Sequence, residues 1–391
     1  MKMLKRQETG YCTNVHAGTE LEALRRNLER YACAVKRAVS PEAAMGVGLW
    51  LSANAARTLR ASGQVEAFRD WLGERGLVPF TFNGFPHGDF HQAIVKHRVY
   101  EPTWMDEERL RYTLELIEIQ HALLPAGMEG SLSTLPVAWG APRPTHEQLQ
   151  RAARRLLDAA KHLARLERET GRLLYLCLEP EPGCVLQRAH DVLDFFAGYL
   201  DAQASGDVDH RRYLRVCHDV CHSAVMFEPQ EDVLHAYRDA GITVGKVQVS
   251  AAVCVDFDRL EPEDRARAFE QLAAFDERRY LHQTVVRERG SEPVFHEDLP
   301  PLLRTIAEPA RLHGEWRTHF HVPIFLDRFG ALSSSRDDIL ACLRAASALS
   351  EVRHFEVETY AWGVLPAALR EDDLAAGIAK EMRWFWQTAG V

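Results

Sequence analysis

The chain has 391 residues, 46% of them hydrophobic and 26% charged, a balance that supports a sizeable buried core. Its formal net charge is −9, with 56 acidic against 47 basic residues, and no Lys/Arg cluster resembles a phosphate-backbone footprint, which argues against nucleic acid as a partner. No apolar run approaches the roughly 18 residues of a membrane helix, and Met1–Glu8 lacks the apolar core of a leader, so no membrane span and a cytoplasmic location are expected.

Short apolar or alternating runs bounded by Gly, Pro, Asn or Asp predict strands near residues 10–16, 45–52, 77–83, 131–138, 172–180, 213–219, 242–250, 315–323 and 353–360. Helical patterns fill most of the gaps. Glu20 to Arg37 carries Leu21, Leu24, Leu28 and Tyr31 at 3–4 spacing, and Glu107 to Leu124 carries Leu110, Leu114, Ile117 and His121. Thr145 with Gln148 forms a capping box at the start of a helix running to Leu166. Further helices are predicted near 187–200, 230–239, 336–348 and 371–386. Strand–helix alternation repeated this often predicts an α/β fold with a parallel sheet. Strand spacing that suits about eight βα units, and the lack of a Gly-x-Gly-x-x-Gly turn after the first strand, favour a (β/α)8 barrel in a single domain over residues 1–391. The nine strand candidates leave open whether 244–250 or 315–323 is the seventh. Residues 276–297 read as a hairpin inserted near the barrel mouth.

Because successive strand residues point to opposite faces, several polar groups align on one side. They are Cys12, Asn14 and His16; Lys246, Gln248 and Ser250; Arg317, His319 and His321; and His354, Glu356, Glu358, Tyr360 and Trp362. In a barrel, that face fills the interior and its upper end carries the chemistry. The polar groups concentrate at two strand exits in mid-chain. Cys177-Leu-Glu-Pro-Glu-Pro-Gly183 places Glu179 and Glu181 on one face, and Cys217-His-Asp-Val-Cys-His222 brings Asp219 and His222 together, with His218 pointing outward. Buried carboxylates need a cation or hydrogen-bond donors, so Glu179, Asp219 and Glu358 are expected to hold a divalent metal. His321 and Gln248 compete for the remaining position, and Mn, Zn, Fe and Mg all suit such a set. Glu356 is expected to pair with an arginine such as Arg317. Glu179, Glu181, His222 and Glu358 are the acid/base candidates. Asn14, His16, Trp50, Asn83, Lys246, His319 and Trp362 are expected to line a substrate pocket, helped by the Gly/aromatic loop Thr81–His91, which holds Phe85.

The eight cysteines contain no Cys-x-x-Cys pair and read as reduced thiols. Cys217 and Cys221 share the face of Asp219, but no second close pair follows to complete a zinc site on them.

The Glu179-Pro-Glu-Pro182 motif resembles the Glu-Pro-Lys-Pro of xylose isomerases, and Asp219-x-x-His222 is similar to their Glu-x-x-His. That resemblance implies that Glu179, Asp219 and Glu358 are metal carboxylates and His321 or Gln248 the fourth ligand. Glu181 stands where those enzymes have Lys, so their hydride shift is not implied. Across nearly the whole chain, Tyr11–His16, Thr81–Pro86, Cys177–Gly183, Lys246–Ser250, His319–Pro323 and Glu358–Tyr360 resemble the EboE family of metabolite traffic proteins, which have xylose isomerase-like barrels. The resemblance implies a small-molecule metabolite, a role in biosynthesis or export of a secondary-metabolite precursor alongside a UbiA-type prenyltransferase, and contacts with other proteins of that pathway. Two functions follow as expectations: a metal-dependent isomerase or epimerase of a small polyhydroxylated metabolite, or a non-catalytic binder that kept the barrel. An endonuclease on the same barrel is disfavoured by the acidic balance.

Overall fold

Eight parallel strands form the central sheet of the computed structural model, which describes residues 4–391. They are β1 (Thr9–Tyr11), β2 (Met45–Trp50), β3 (Leu77–Asn83), β4 (Gly130–Thr134), β5 (Leu174–Leu178), β6 (Leu214–Asp219), β7 (Val244–Val249) and the last strand, His354–Val357. Each hydrogen-bonds to its neighbour in chain order, and the last strand bonds to both β7 and β1. A parallel bridge between Cys12 and Gly48 brings β1 against β2, so the sheet curls into a nearly closed (β/α)8 barrel. All eight strands are buried along their length, as expected where helices cover the outside and side chains fill the inside.

The helices follow the predicted periodicity. Glu107–Leu123 and His146–Thr170 match closely, and the Thr145–Gln148 capping box is formed. The helical stretch from Leu21 runs on to Val39 through a wider turn at Leu28–Ala32. Two further helices, Ala53–Ala61 and Val65–Glu74, lie between β2 and β3.

The β7-to-last-strand connection departs most from expectation. It carries a second, six-stranded sheet built from β8 (Val253–Asp256), β9 (Thr284–Arg287), β10 (Val294–His296), β11 (Glu315–Thr318), β12 (Arg328–Phe329) and β13 (Leu332–Ser334). With the last barrel strand numbered β14, the seventh barrel strand is β7. The run 315–323 belongs elsewhere: only 315–318 is strand, and it pairs antiparallel with β8 and β9. Its alternating burial is that of a strand with one covered face, a pattern that does not specify which sheet it joins. The hairpin expected within 276–297 is present as β9–β10, one part of this larger insertion.

The interior-facing polar groups on β7 and β14 meet in the barrel. Lys246 Nζ lies 2.7 Å from Glu356 and donates to Ser133 Oγ at 3.3 Å, with both charged side chains fully buried. The expected Arg317–Glu356 pair does not form. Arg317 sits on the inserted sheet, where it pairs with Glu315 at 2.8 Å and faces Asp338 at 3.6 Å. Gly48 lies against the buried pair: a Cβ there would stand 1.3 Å from Glu356 Oε1.

Candidate metal centre

The carboxyl ends of the barrel strands bring together residues far apart in the chain. Glu179 follows β5, Asp219 ends β6 and Glu358 follows β14, and each offers a carboxylate oxygen within 4.8 Å of the others'. His321 arrives from the insertion, just past β11, with its Nε2 4.0 Å from Asp219 Oδ2. The histidine thus stands on an irregular segment (His319 to Pro323) rather than on a barrel strand, held where Val322 N donates to Ala251 O.

Hydrogen bonds orient Glu358, Asp219 and His321. Glu358 Oε1 accepts from Asn14 Nδ2 at 2.8 Å and Asn83 Nδ2 at 2.9 Å. Asp219 Oδ1 accepts from His222 N and Ser250 Oγ. His321 Nδ1 donates to the Glu358 carbonyl at 2.6 Å, which leaves a lone pair on Nε2. Glu179 Oε2, Asp219 Oδ2 and His321 Nε2 are all buried without a hydrogen-bond partner. Unpartnered buried acceptors on two acids and an imidazole, converging with a third acid, fit a divalent cation. Zn, Mn, Fe and Mg all remain compatible with this oxygen-rich set.

The electrostatics reflect this crowding. Burial, with Asp219 and Glu181 adding to it against His222 and Lys246, pushes the Glu179 carboxyl up to about 7. Burial and the Glu179 and Asp219 charges hold Glu358 well above the ordinary carboxylate range. Burial would also raise Asp219, but His222, His321 and its two hydrogen bonds hold it below its ordinary value. Burial lowers His321 to about 4, so its imidazole is neutral and able to ligate.

Beside this centre lies a second polar cluster. Glu181 Oε1 accepts from Tyr100 Oη at 2.7 Å and Gln283 Nε2 at 2.8 Å. Gln283 Oε1 accepts from His319 Nδ1 at 2.8 Å, and His222 Nδ1 donates to Pro180 O at 2.8 Å. Ligand atoms of Glu181, His222 and His319 lie within 4.8 Å of one another.

Not every expected pocket residue reaches the cavity. Asn14, Asn83, Phe85, Tyr360 and His319 line it. His16 is instead bonded to Tyr11 Oη and stacked on Tyr31. Trp50 donates to Pro86 O, and Trp362 turns away to Glu381. Lys246 lies deeper in the barrel, committed to Glu356. In each case a nearer partner satisfies the polar tip. Gln248 is buried with both amide atoms unpartnered, level in the sheet with Asp219 and Glu356. His218 points outward to Gln230, as expected. The eight cysteines are all buried and unpaired, and Cys217 and Cys221 sit in separate apolar clusters.

Sequence reasoning did not find Tyr100, Gln283 or Glu381. Nothing in their local sequence marks the first two. Glu381 carried a signal: it interrupts the apolar stripe of Ile378, Met382 and Phe385 on the helix Leu374–Ala389. It accepts from Thr359 Oγ1 at 2.6 Å, Ile324 N at 3.1 Å and Trp362 Nε1 at 3.0 Å. This one carboxylate therefore ties together the segments bearing Glu358 and His321. Burial pushes it from an ordinary 4.5 to about 7, against those three donors. The raised folded value means the protein keeps a proton that the unfolded chain has released. This contribution to stability is present below about pH 4.5 and is lost as pH rises through about 7. Glu381→Gln is expected to lose less melting temperature than the wild type between pH 5 and pH 8. Parallel profiles for the two proteins would refute this assignment.

The eight-stranded (β/α)8 barrel is similar in fold to xylose isomerase-like barrels of known structure. A xylose isomerase-like TIM barrel protein from Mycobacterium smegmatis, solved in complex with magnesium, superposes with a TM-score of 0.53 at 11% identity, over 100% of this chain and 98% of that one. A probable 3-DHS dehydratase, AsbF, from Bacillus anthracis, involved in petrobactin synthesis, gives a TM-score of 0.48 at 12% identity over 97% and 98% of the two chains. The IOLI protein with a bound zinc atom gives 0.47 at 9% identity over 98% of each. At such identities the likeness concerns the fold alone. No family model and no curated protein matches the sequence. Among the described residues, no helix is long and apolar enough to cross a membrane.

Proposed function

We propose that the protein is a metal-dependent isomerase or epimerase acting on a small polyhydroxylated metabolite. The observation that carries this reading is the convergence of unpartnered Glu179 Oε2, Asp219 Oδ2 and His321 Nε2 with Glu358 beside the pocket. Glu179, Asp219, His321 and Glu358 would hold the metal, which when bound polarises a carbonyl or hydroxyl oxygen as a Lewis acid. Asn14 and Asn83 fix the Glu358 carboxylate, so its geometry does not depend on substrate. Glu179 and Glu358, which line the cavity, are the groups placed to take a proton from carbon and return it. Glu181 and His222 border the same cavity as the second acid/base pair. Tyr100, from the β3–β4 connection, and Gln283, from the insertion, hold Glu181 in place.

The pathway reading, a secondary-metabolite precursor handled for synthesis or export, rests on the segments that resemble metabolite traffic proteins. The test is proton exchange. Metal-loaded protein in D2O should catalyse C–H exchange of small hydroxy-ketones, followed by NMR, and Glu179→Gln should abolish it. Metal binding without exchange on any hydroxy-ketone or keto-sugar would favour the non-catalytic carrier.

A further inference from the structure

The cavity above the carboxylate–imidazole set is lined by a different kind of surface. Phe90, Tyr280 and Tyr360 form a three-ring cluster, with centroids 4.9, 5.4 and 5.0 Å apart. Phe85 and Tyr100 pack edge to face at 5.9 Å, and Val95, Val99 and Leu281 complete the wall. Two of the polar tips along this wall are already used. Tyr100 Oη donates to Glu181 and Tyr280 Oη donates to Phe90 O, so both tyrosines present rings rather than free hydroxyls. The amide nitrogens of Asn14 and Asn83 both donate to Glu358.

Charge adds a second constraint. Lys96 is the sole Lys or Arg among the described residues lining the cavity, and its Nζ is paired with Asp298. No lysine or arginine of the lining is therefore free for a phosphate or a carboxylate, and Glu179, Glu181 and Glu358 face the same space. A site that recognised a polyol along its length would place donors and acceptors against each hydroxyl, because an unmatched polar group loses its water without recompense. Here the buried unmatched atoms gather at the deep end, where Asn14 Oδ1, beside Glu358, and His319 Nε2 join those of the metal set.

We infer that the ligand is uncharged and two-sided: an oxygen-bearing head set against the carboxylates and histidines, and an apolar, ring-sized body packed on the Phe90–Tyr280–Tyr360 wall. This rests on the metal-dependent reading above and replaces its polyhydroxylated substrate with a hydroxy-ketone of apolar body. Aromatic surface of this kind gains affinity chiefly by removing apolar area from water.

The experiment measures equilibrium binding of three matched probes to the full-length, Mn2+-loaded protein by calorimetry. The probes are 2-hydroxyacetophenone, dihydroxyacetone and dihydroxyacetone phosphate. The expected result is that 2-hydroxyacetophenone binds at least about tenfold more tightly than dihydroxyacetone, and that the phosphate gives no gain. Phe90→Ala and, as an independent variant, Leu281→Ser should each shrink that ratio while dihydroxyacetone binding persists. Tightest binding by the phosphate, equal binding of the first two probes, or no binding of 2-hydroxyacetophenone at millimolar concentration would each overturn the inference. Glu358→Gln separates it from the metal reading. Loss of head binding for both ketones supports that reading, whereas a ring preference surviving with unchanged affinities would sink the metal role and leave the two-sided pocket standing.

Discussion

Replacing Glu179 and Glu358 together by glutamine is expected to leave a folded protein without its metal. Wild-type protein, purified and reconstituted, should carry near-stoichiometric divalent metal by elemental analysis, and the double variant should carry none. Loss of a group that merely orients a ligand typically weakens metal binding about 10–100-fold, and two direct oxygen donors should weaken it by about 100-fold or more. Folding should survive, because Glu179, Asp219 and Glu358 crowd one buried site and the substitutions remove two mutually repelling charges. A chelator should therefore lower the melting temperature of the wild type but not of the variant, since only the former loses a ligand that binds the native state. Metal absent from both proteins after reconstitution would remove the basis of the proposed function.

The second large effect concerns stability. Lys246→Met should destabilise the fold by about 3–5 kcal/mol, because it strands the Glu356 carboxylate in the barrel interior. Neither Glu356 oxygen has another hydrogen-bond partner, and both side chains are fully buried. At about 2.1 cal/mol/K of unfolding entropy per residue, that loss lowers the melting temperature of a chain this size by about 4–6 °C. The double change Lys246→Met with Glu356→Met should recover most of it, since removing a buried pair outright is far cheaper than breaking one. Gly48→Ala, on β2, should also destabilise the fold, because its Cβ would stand 1.3 Å from Glu356 Oε1. A Lys246→Met protein as stable as wild type would show that the pair is not held as described.

How much was legible in the sequence varies from element to element for identifiable reasons. The barrel could be read because its strands are buried on both sides and therefore nearly continuous in apolar character, while its helices carry long 3–4 stripes such as that of His146–Thr170. The same local logic placed Glu179, Asp219 and Glu358 at strand exits, where period-two alternation and the Pro and Gly that end a strand are visible in the chain. Pairing is less accessible. Arg317 and His321 lie in a run with the alternation of a strand, but alternation is blind to the choice of sheet, and β11 joined the insertion. Arg317 therefore found Glu315, and Glu356 found Lys246 across the β7–β14 register.

The pocket wall shows the same division. An aromatic or histidine in the sequence declares its size and chemistry but not its nearest polar neighbour. Trp50, Trp362 and His16 looked suited to a ligand, yet each turned to a protein acceptor or ring closer at hand. Tyr100, Gln283 and Glu381 carried little or no local signal and became structurally decisive through contacts more than 20 residues distant or more than one element away. The sequence by itself determined the elements, their burial pattern and the three carboxylates at the strand ends, because those depend on short-range periodicity and on residue chemistry. Only the tertiary structure decided that His321 meets the three carboxylates from the insertion, that Lys246 neutralises Glu356, and that an aromatic wall stands above the site. Those outcomes depend on which groups the closing barrel brings within a few ångströms of each other, and such long-range proximity has no period along the chain.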